Sequence, residues 1–230
     1  MVQGRIVSFP SGSRQLQGFL ASPEGNGPFP GIVVIHEIFG LTENIKDIAQ
    51  RFAREGYVAF AVDLFSGRNR TVCMFRAMGQ QLFSPLNNGG ISDLKAALSF
   101  LSEQDQVEAA RVGAIGFCMG GGFAISWACT DNRLKAIAPF YGMNPRPLEA
   151  VARLCPVVGS YPEQDFTASA GRKLDAALES YTIPHDIKIY PNAKHSFFND
   201  TGRSYNETAA QDSWQRVLAF FSEHIGPATA

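Results

Sequence analysis

Residues 112–120 read Val-Gly-Ala-Ile-Gly-Phe-Cys-Met-Gly, an apolar run that ends in the pattern Gly-x-Cys-x-Gly. A helix-like run, Gly121 to Ala128, follows directly. This strand–turn–helix order is typical of a nucleophile elbow, the sharp turn that raises a serine above the end of a strand, here with a cysteine in its place. The flanking glycines are needed because bulkier residues at such a strained turn would collide with the adjacent strands. The stretch predicts Cys118 as an accessible nucleophile at the end of a strand.

Outward from this stretch, short apolar runs alternate with amphipathic runs. The alternation indicates an α/β fold with a mostly parallel central sheet flanked by helices, and we expect a single domain over residues 1–230. Strands are predicted at Arg5–Phe9, Gln15–Ala21, Gly31–His36, Tyr57–Val62, Arg111–Phe117, Leu134–Tyr141, Pro156–Ser160 and Asp186–Tyr190. Helices are predicted at Glu43–Arg54, near Arg76–Leu82, at Ile91–Leu101, near Ala168–Tyr181 and at about Glu207–His224. The first two strands are expected to pair as a hairpin around Gly12, and the irregular residues 64–90 are a candidate cover for the active site.

The composition is that of an ordinary globular protein, with 230 residues, 45% hydrophobic content and a formal net charge of -1. The charge argues against nucleic acid or an anionic membrane as the main partner. No run approaches the length needed to span a bilayer, and residues 1–5 lack the apolar core of a secretory signal, so we expect a cytoplasmic location. The sequence leaves the oligomeric state open.

Three cysteines besides Cys118 are expected to be reduced thiols, mostly packed as small apolar side chains. They are Cys73, Cys129 and Cys155. None of the cysteines forms a Cys-x-x-Cys pair or combines with histidines at the spacing of a zinc site, so we expect neither a metal nor an organic cofactor.

A thiol nucleophile needs a base, and the base needs an orienting acid. His195 is the preferred base because it lies between the last predicted strand and the last helix, whereas His185 and His224 are expected to be structural or solvated. His36 ends its strand, and its role is open. Asp165 is the preferred acid because it follows the preceding strand, and Glu163 is the weaker candidate. The chain order nucleophile, acid, base is that of G-x-S-x-G enzymes.

Three motifs together resemble dienelactone hydrolase and its relatives. They are His36-Glu37-Ile38-Phe39-Gly40-Leu41, Gly116-Phe117-Cys118-Met119-Gly120-Gly121 and Lys194-His195-Ser196-Phe197. The resemblance covers nearly the whole chain. It implies the α/β-hydrolase fold, a Cys118-His195-Asp165 triad and a glutamate, Glu37, beside the nucleophile.

Glu37 would affect the protonation state of a neighbouring thiol. A carboxylate repels the thiolate and can accept the hydrogen bond of the thiol, which favours the protonated form. The resemblance implies a resting thiol that contacts the glutamate and turns toward the histidine when substrate arrives. Geometry and resemblance both place the oxyanion donors at the backbone N–H groups of Ile38 and Met119.

The substrate-binding residues are less well defined. The family holds a carboxylate with two arginines; one follows the histidine by four positions, where this chain has Asn199. Arg203 lies nearby and Arg76 is a candidate for the other arginine. Loss of one bidentate anchor weakens the case for an anionic lactone. Four phenylalanines are candidates for a more apolar pocket, or equally for core or lid packing: Phe75, Phe83, Phe197 and Phe198.

The sequence thus predicts a hydrolase of a small carboxylic ester or lactone, of the EC 3.1.1 type, that acts through an acyl-thioester on Cys118. Thioesterase or peptidase activity on the same scaffold is one alternative, because fold does not decide substrate. The other is a non-catalytic protein that binds a small molecule and carries a reactive thiol.

Overall fold

The computed structural model describes residues 2–66 and 68–226. Its centre is an eight-stranded sheet in the order β1-β2-β4-β3-β5-β6-β7-β8. The first two strands pair antiparallel and β2 joins β4 antiparallel, while the other neighbours are parallel. The strands are β1 (Gln3–Ser11), β2 (Arg14–Ser22), β3 (Phe29–Ile35), β4 (Val58–Asp63), β5 (Val107–Phe117), β6 (Ala136–Phe140), β7 (Val157–Gln164) and β8 (His185–Lys194). The expected mostly parallel sheet and its first hairpin are present.

Helices cover both faces of the sheet. They are α1 (Glu43–Arg54), α2 (Arg70–Phe83), α3 (Gly89–Ser102), α4 (Met119–Ala128), α5 (Ala168–Ser180) and α6 (Glu207–His224), with a short 3-10 helix at Leu148–Arg153. One core contains side chains of α1 and α6, such as Phe52 and Phe221, and the other contains side chains of α3, α4 and α5, such as Leu94 and Leu174. Because both faces are covered, every residue of β3 is buried, as its continuous apolar sequence indicates.

The largest departure from the sequence prediction lies in residues 64–90. The helix expected near Arg76–Leu82 begins six residues earlier, where the Asn69 side chain accepts a hydrogen bond from the Val72 N–H at 3.1 Å. It contributes only Cys73 to the buried core, and Met74 and Ala77 pack against that core while partly buried. Gly67, within that region, lies outside the described residues, as do Met1 and residues 227–230 of the expected single domain.

The register of the sheet brings the ends of the parallel strands to one edge. Ile35 of β3 pairs with Gly116 of β5, and Phe117 of β5 pairs with Phe140 of β6. Gln164 of β7 likewise pairs with Lys194 at the end of β8. The residues that follow these strands therefore lie close together at the carboxyl edge of the sheet, where open α/β sheets bind their ligands.

None of the helices in the described part of the chain is long and apolar enough to cross a membrane. The cytoplasmic location stays a prediction.

Candidate active site

Cys118 occupies the sharp turn between β5 and α4. Its backbone has φ 55° and ψ -116°, a conformation that costs a non-glycine residue about 1–3 kcal/mol. A Cβ at Gly116 would lie 2.1 Å from the Gly120 carbonyl oxygen, and one at Gly120 would lie 2.4 Å from the Ile35 carbonyl oxygen. Both glycines are required because backbone atoms fill the space that any side chain would need. The turn leaves Cys118 half-buried at the edge of the sheet.

Lys194 at the end of β8 pairs with Gln164 at the end of β7. His195 and Asp165 directly follow these two residues, so they are adjacent. His195 Nδ1 lies 2.7 Å from Asp165 Oδ2, and the Thr167 hydroxyl donates to the same oxygen. An Nδ1–H that donates to the carboxylate leaves Nε2 unprotonated and able to accept a proton. The Phe166 ring stacks on the imidazole at 5.5 Å between centroids. Glu163 is exposed on β7 and has no such contact with His195 in the described structure.

Glu37 is a buried carboxylate, only 4% exposed, directly after β3 and His36. The Ser196 hydroxyl donates to Oε1 at 2.6 Å and the Asn199 amide donates to Oε2 at 3.2 Å. Among residues 2–66 and 68–226, no lysine or arginine forms an ion pair with it. Its negative charge therefore faces the site without a neutralising cation.

The surroundings of Cys118 hold its side chain as a thiol. Burial, and secondly the charge of Glu37, raise the pKa of Cys118 to about 12, and Asp165 acts in the same direction. The backbone N–H groups of Met119 and Ile38 favour the thiolate and act in the opposite direction, lowering the pKa of Cys118. The same two amides are placed to stabilise negative charge that develops next to the sulfur.

His36 holds the loop that carries Glu37 and Ile38. Its Nε2 accepts a hydrogen bond from the Leu64 N–H at 3.1 Å, and its Nδ1 lies 2.5 Å from the Glu37 carbonyl oxygen. This pattern requires a neutral ring with the proton on Nδ1, and burial lowers the pKa of His36 accordingly. The role left open by the sequence is therefore a structural one, in support of the loop that carries Glu37 and Ile38.

Tyr141 is a site residue that the sequence interpretation missed. It follows β6 with φ 40°, and its ring lies 5.0 Å from that of His195. Burial, followed by the charges of Glu37 and Cys118, raises the pKa of Tyr141 well above its ordinary value. Its position just after a parallel strand was the available signal, since Glu37, Cys118, Asp165 and His195 share it.

A cavity of about 450 Å³ opens over Cys118 and His195. This volume falls within the range of small-molecule sites. Most of its wall is apolar, and much of it comes from α2. The lining side chains beyond the residues already described include Phe75, Met78, Gln81, Leu82, Met143, Asn144 and Arg146.

A model described as the dienelactone hydrolase family matches residues 16–225 of the chain. The chain belongs to this family. It is 36% identical to a protein of Saccharolobus solfataricus named "Putative carboxymethylenebutenolidase", over 93% of this chain and 96% of that one. Membership confirms the family resemblance and the expected class, a carboxylic ester or lactone hydrolase of the EC 3.1.1 type with a small-molecule substrate.

Solved structures agree with the family assignment. The crystal structure of a dienelactone hydrolase-like promiscuous phosphotriesterase from metagenomic libraries has a TM-score of 0.86 at 26% identity and covers 97% of this chain and 98% of its own. Acylaminoacyl peptidase of Pyrococcus horikoshii has a TM-score of 0.79 at 16% identity; this chain spans 42% of its length. The second similarity is one of fold alone, and it agrees with the predicted α/β-hydrolase fold.

Several residues that the sequence predicts to bind the substrate do not line the cavity of this dienelactone hydrolase family member. Phe197 and Phe198 are buried in the core against Phe140 and Phe117, because the loop after β8 turns both rings beneath the sheet edge. Phe83, at the end of α2, is 83% exposed and outside the cavity wall. Of the four candidate phenylalanines, only Phe75 lines the cavity.

The candidate polar anchors are also displaced from the cavity. Arg76 lines a separate hollow beside Asp93, because consecutive residues point about 100° apart around a helix and its neighbour Phe75 faces the site. Arg203 is exposed and does not line the cavity. Asn199 contacts Glu37 instead of the cavity, so it stands behind the site. The guanidinium found in the wall is that of Arg146.

Proposed function

We propose that this protein hydrolyses a small carboxylic ester or lactone through a covalent thioester on Cys118. The observation that carries the proposal is the shared cavity of Cys118 and His195, with Asp165 bonded to His195 at 2.7 Å. Acyl transfer requires a nucleophile, a base beside it and an acid that orients the base. The carboxymethylenebutenolidase name of the 36% identical relative supports a lactone among the substrates.

In the proposed first step, His195 Nε2 takes the proton of Cys118 as Sγ attacks the carbonyl carbon. The carbonyl oxygen becomes an oxyanion that the N–H groups of Ile38 and Met119 stabilise. The carbon–oxygen bond of the ester then breaks, and the leaving alkoxide receives the proton from His195. In the second step, His195 removes a proton from water, the hydroxide attacks the thioester and Sγ leaves with the proton returned to it.

The two carboxylates have different parts in this mechanism. Asp165 orients the imidazole and stabilises its cationic form. Glu37 keeps the resting sulfur protonated, and a thiol is less readily oxidised than a thiolate. Ser196 and Asn199 hold Glu37 in place through its two oxygens.

The role of Glu37 is tested by Glu37→Gln. Removing the charge is expected to lower the pKa of Cys118 and to raise its alkylation rate at pH 8 by about tenfold. Burial is the larger cause of the raised pKa and persists in the variant, so the profile of rate against pH should still reach its plateau at alkaline pH. The rate is followed with iodoacetamide by mass spectrometry. Glu163→Gln, which removes an exposed carboxylate, is the control, and superimposable wild-type and Glu37→Gln profiles would contradict the role.

The role of Asp165 is tested by Asp165→Asn. An amide can donate to Nδ1 and thereby stabilise the wrong tautomer of His195, so kcat is expected to fall by about 10²- to 10⁴-fold with the fold preserved. Glu163→Gln should retain wild-type kcat. An equal loss in both variants would show that the effect comes from charge near β7 rather than from the bond to His195.

The covalent step is tested by rapid mixing with p-nitrophenyl acetate and quenching in acid. We expect a burst of p-nitrophenol equal to the enzyme concentration, and one acetyl group on the peptide that contains Cys118. An acetyl group without turnover would favour the binding protein with a reactive thiol. Product release at the wild-type rate in Cys118→Ala would exclude the thioester.

A further inference from the structure

Large apolar side chains converge on the mouth of the cavity although they are accessible to water. Phe75, Met78 and Leu82 come from one face of α2, Met143 follows β6, and Phe166 lies beside His195. We call these five residues the apolar rim. Their exposure is between 44% and 70%, and large exposed apolar side chains grouped around one cavity are typical of a ligand-binding site.

The charges around Cys118 are predominantly negative. Glu37 and Asp165 both act on the sulfur, and neither forms an ion pair with a lysine or arginine in the described part of the chain. Arg146 supplies the one lysine or arginine side chain of the described cavity wall, and it is exposed at the mouth. Water screens such an exposed charge. Glu37 and Asp165 stand behind the cavity wall, so an anionic group bound near the sulfur would be repelled by both charges and would lie against a mostly apolar surface.

We propose that the cavity selects esters and lactones with an uncharged, apolar acyl group, which lies against the apolar rim. The inference rests on the proposed function, because the acyl group is the part that becomes bonded to Cys118 while the alcohol leaves. A lactone that bears a carboxylate would need a cation or an amide to hold that group. Arg76, Asn199 and Arg203, the candidates from the sequence, do not line the cavity.

The inference is tested with p-nitrophenyl butyrate and p-nitrophenyl hemisuccinate, which share a leaving group and have acyl chains of similar length. We expect kcat/KM of the wild type to be about tenfold or more higher for butyrate, because the free carboxylate of hemisuccinate would lie in a mostly apolar cavity whose one guanidinium, that of Arg146, is exposed to water. Leu82→Lys introduces a cation at the rim and should lower this ratio by about threefold, a modest change because water screens a charge at this exposed position.

Phe83→Lys is the matched control. It adds the same charge one residue further along α2, at a side chain that does not line the cavity, and it should leave the ratio within about twofold of the wild type. A wild-type preference for hemisuccinate would overturn the inference. So would equal changes in Leu82→Lys and Phe83→Lys, since the ratio would then depend on overall charge.

A second measurement keeps the inference separate from the hydrolase proposal. Absence of turnover and of an acyl adduct with both esters would refute the proposed function but not the selectivity of the cavity. In that event the alkylation rates of Cys118 by iodoacetamide and iodoacetate, each divided by its rate with free cysteine, are compared. We expect the neutral reagent to be favoured about tenfold, and hexanamide to protect Cys118 better than hexanoate. Equal rates, or better protection by hexanoate, would overturn the inference.

Discussion

Replacing Cys118 with alanine is expected to lower kcat for ester hydrolysis by about 10⁴-fold or more, because no other group can form the covalent intermediate. The oxyanion donors are backbone amides and remain, so a weak activity above that of water should persist. Release of p-nitrophenol from p-nitrophenyl butyrate measures the loss, and circular dichroism verifies the fold.

Cys155→Ala is the matched control for this variant. Cys155 is a half-buried free thiol that does not line the cavity, so its loss should leave kcat unchanged. If Cys118→Ala keeps more than about a tenth of the wild-type rate, a mechanism with direct attack by water would replace the thioester.

Replacing Gly116 with alanine is expected to destabilise the protein by about 2–4 kcal/mol, a large effect for one methyl group. The added carbon would lie 2.1 Å from the carbonyl oxygen of Gly120, and a backbone atom cannot move aside as a side chain can. Urea unfolding followed by tryptophan fluorescence measures the change, since Trp127 lies on α4 directly after the elbow. Activity should fall with it, because any relief of the collision displaces Cys118.

Gly79→Ala is the control for that experiment. Gly79 lies inside α2, and a Cβ there would meet nothing within 4 Å. The substitution should stabilise the helix slightly, by about 0.5–1 kcal/mol. If the two variants are equally stable, the elbow can relax and the tight approach of Gly116 and Gly120 is not a constraint.

The chemistry of the site was largely predictable because it depends on strand ends. Parallel strands are recognisable as apolar runs, and their carboxyl ends meet at one edge, so the residues that follow them can be grouped from the amino-acid sequence alone. The strand ends grouped Cys118, Asp165 and His195, and the family resemblance added Glu37; the structure brings these four residues together. Tyr141 has the same kind of position, but its ordinary residue type gave no reason to single it out.

The cavity wall was predictable only in part. An aromatic residue in a sequence is a candidate for a core or for a pocket, and only the path of the chain decides between them. Phe197 and Phe198 turned out to pack in the core, whereas Phe166 stacks on His195 at the cavity. The start of α2 was missed because its apolar face, which includes Phe75, Met78 and Leu82, is largely exposed and only Cys73 is buried, so no stripe of core residues marks the length of the helix.

Because α2 contributes only Cys73 to the buried core, its other residues can be substituted with little effect on the fold. The residues proposed to break the ester follow the ends of core strands. Phe75, Met78 and Leu82 lie on α2, which contributes one buried residue, Cys73, to the core. Substitutions at these three positions should change the free energy of unfolding little. The range of substrates can therefore change under selection while the proposed nucleophile, base and acid stay the same.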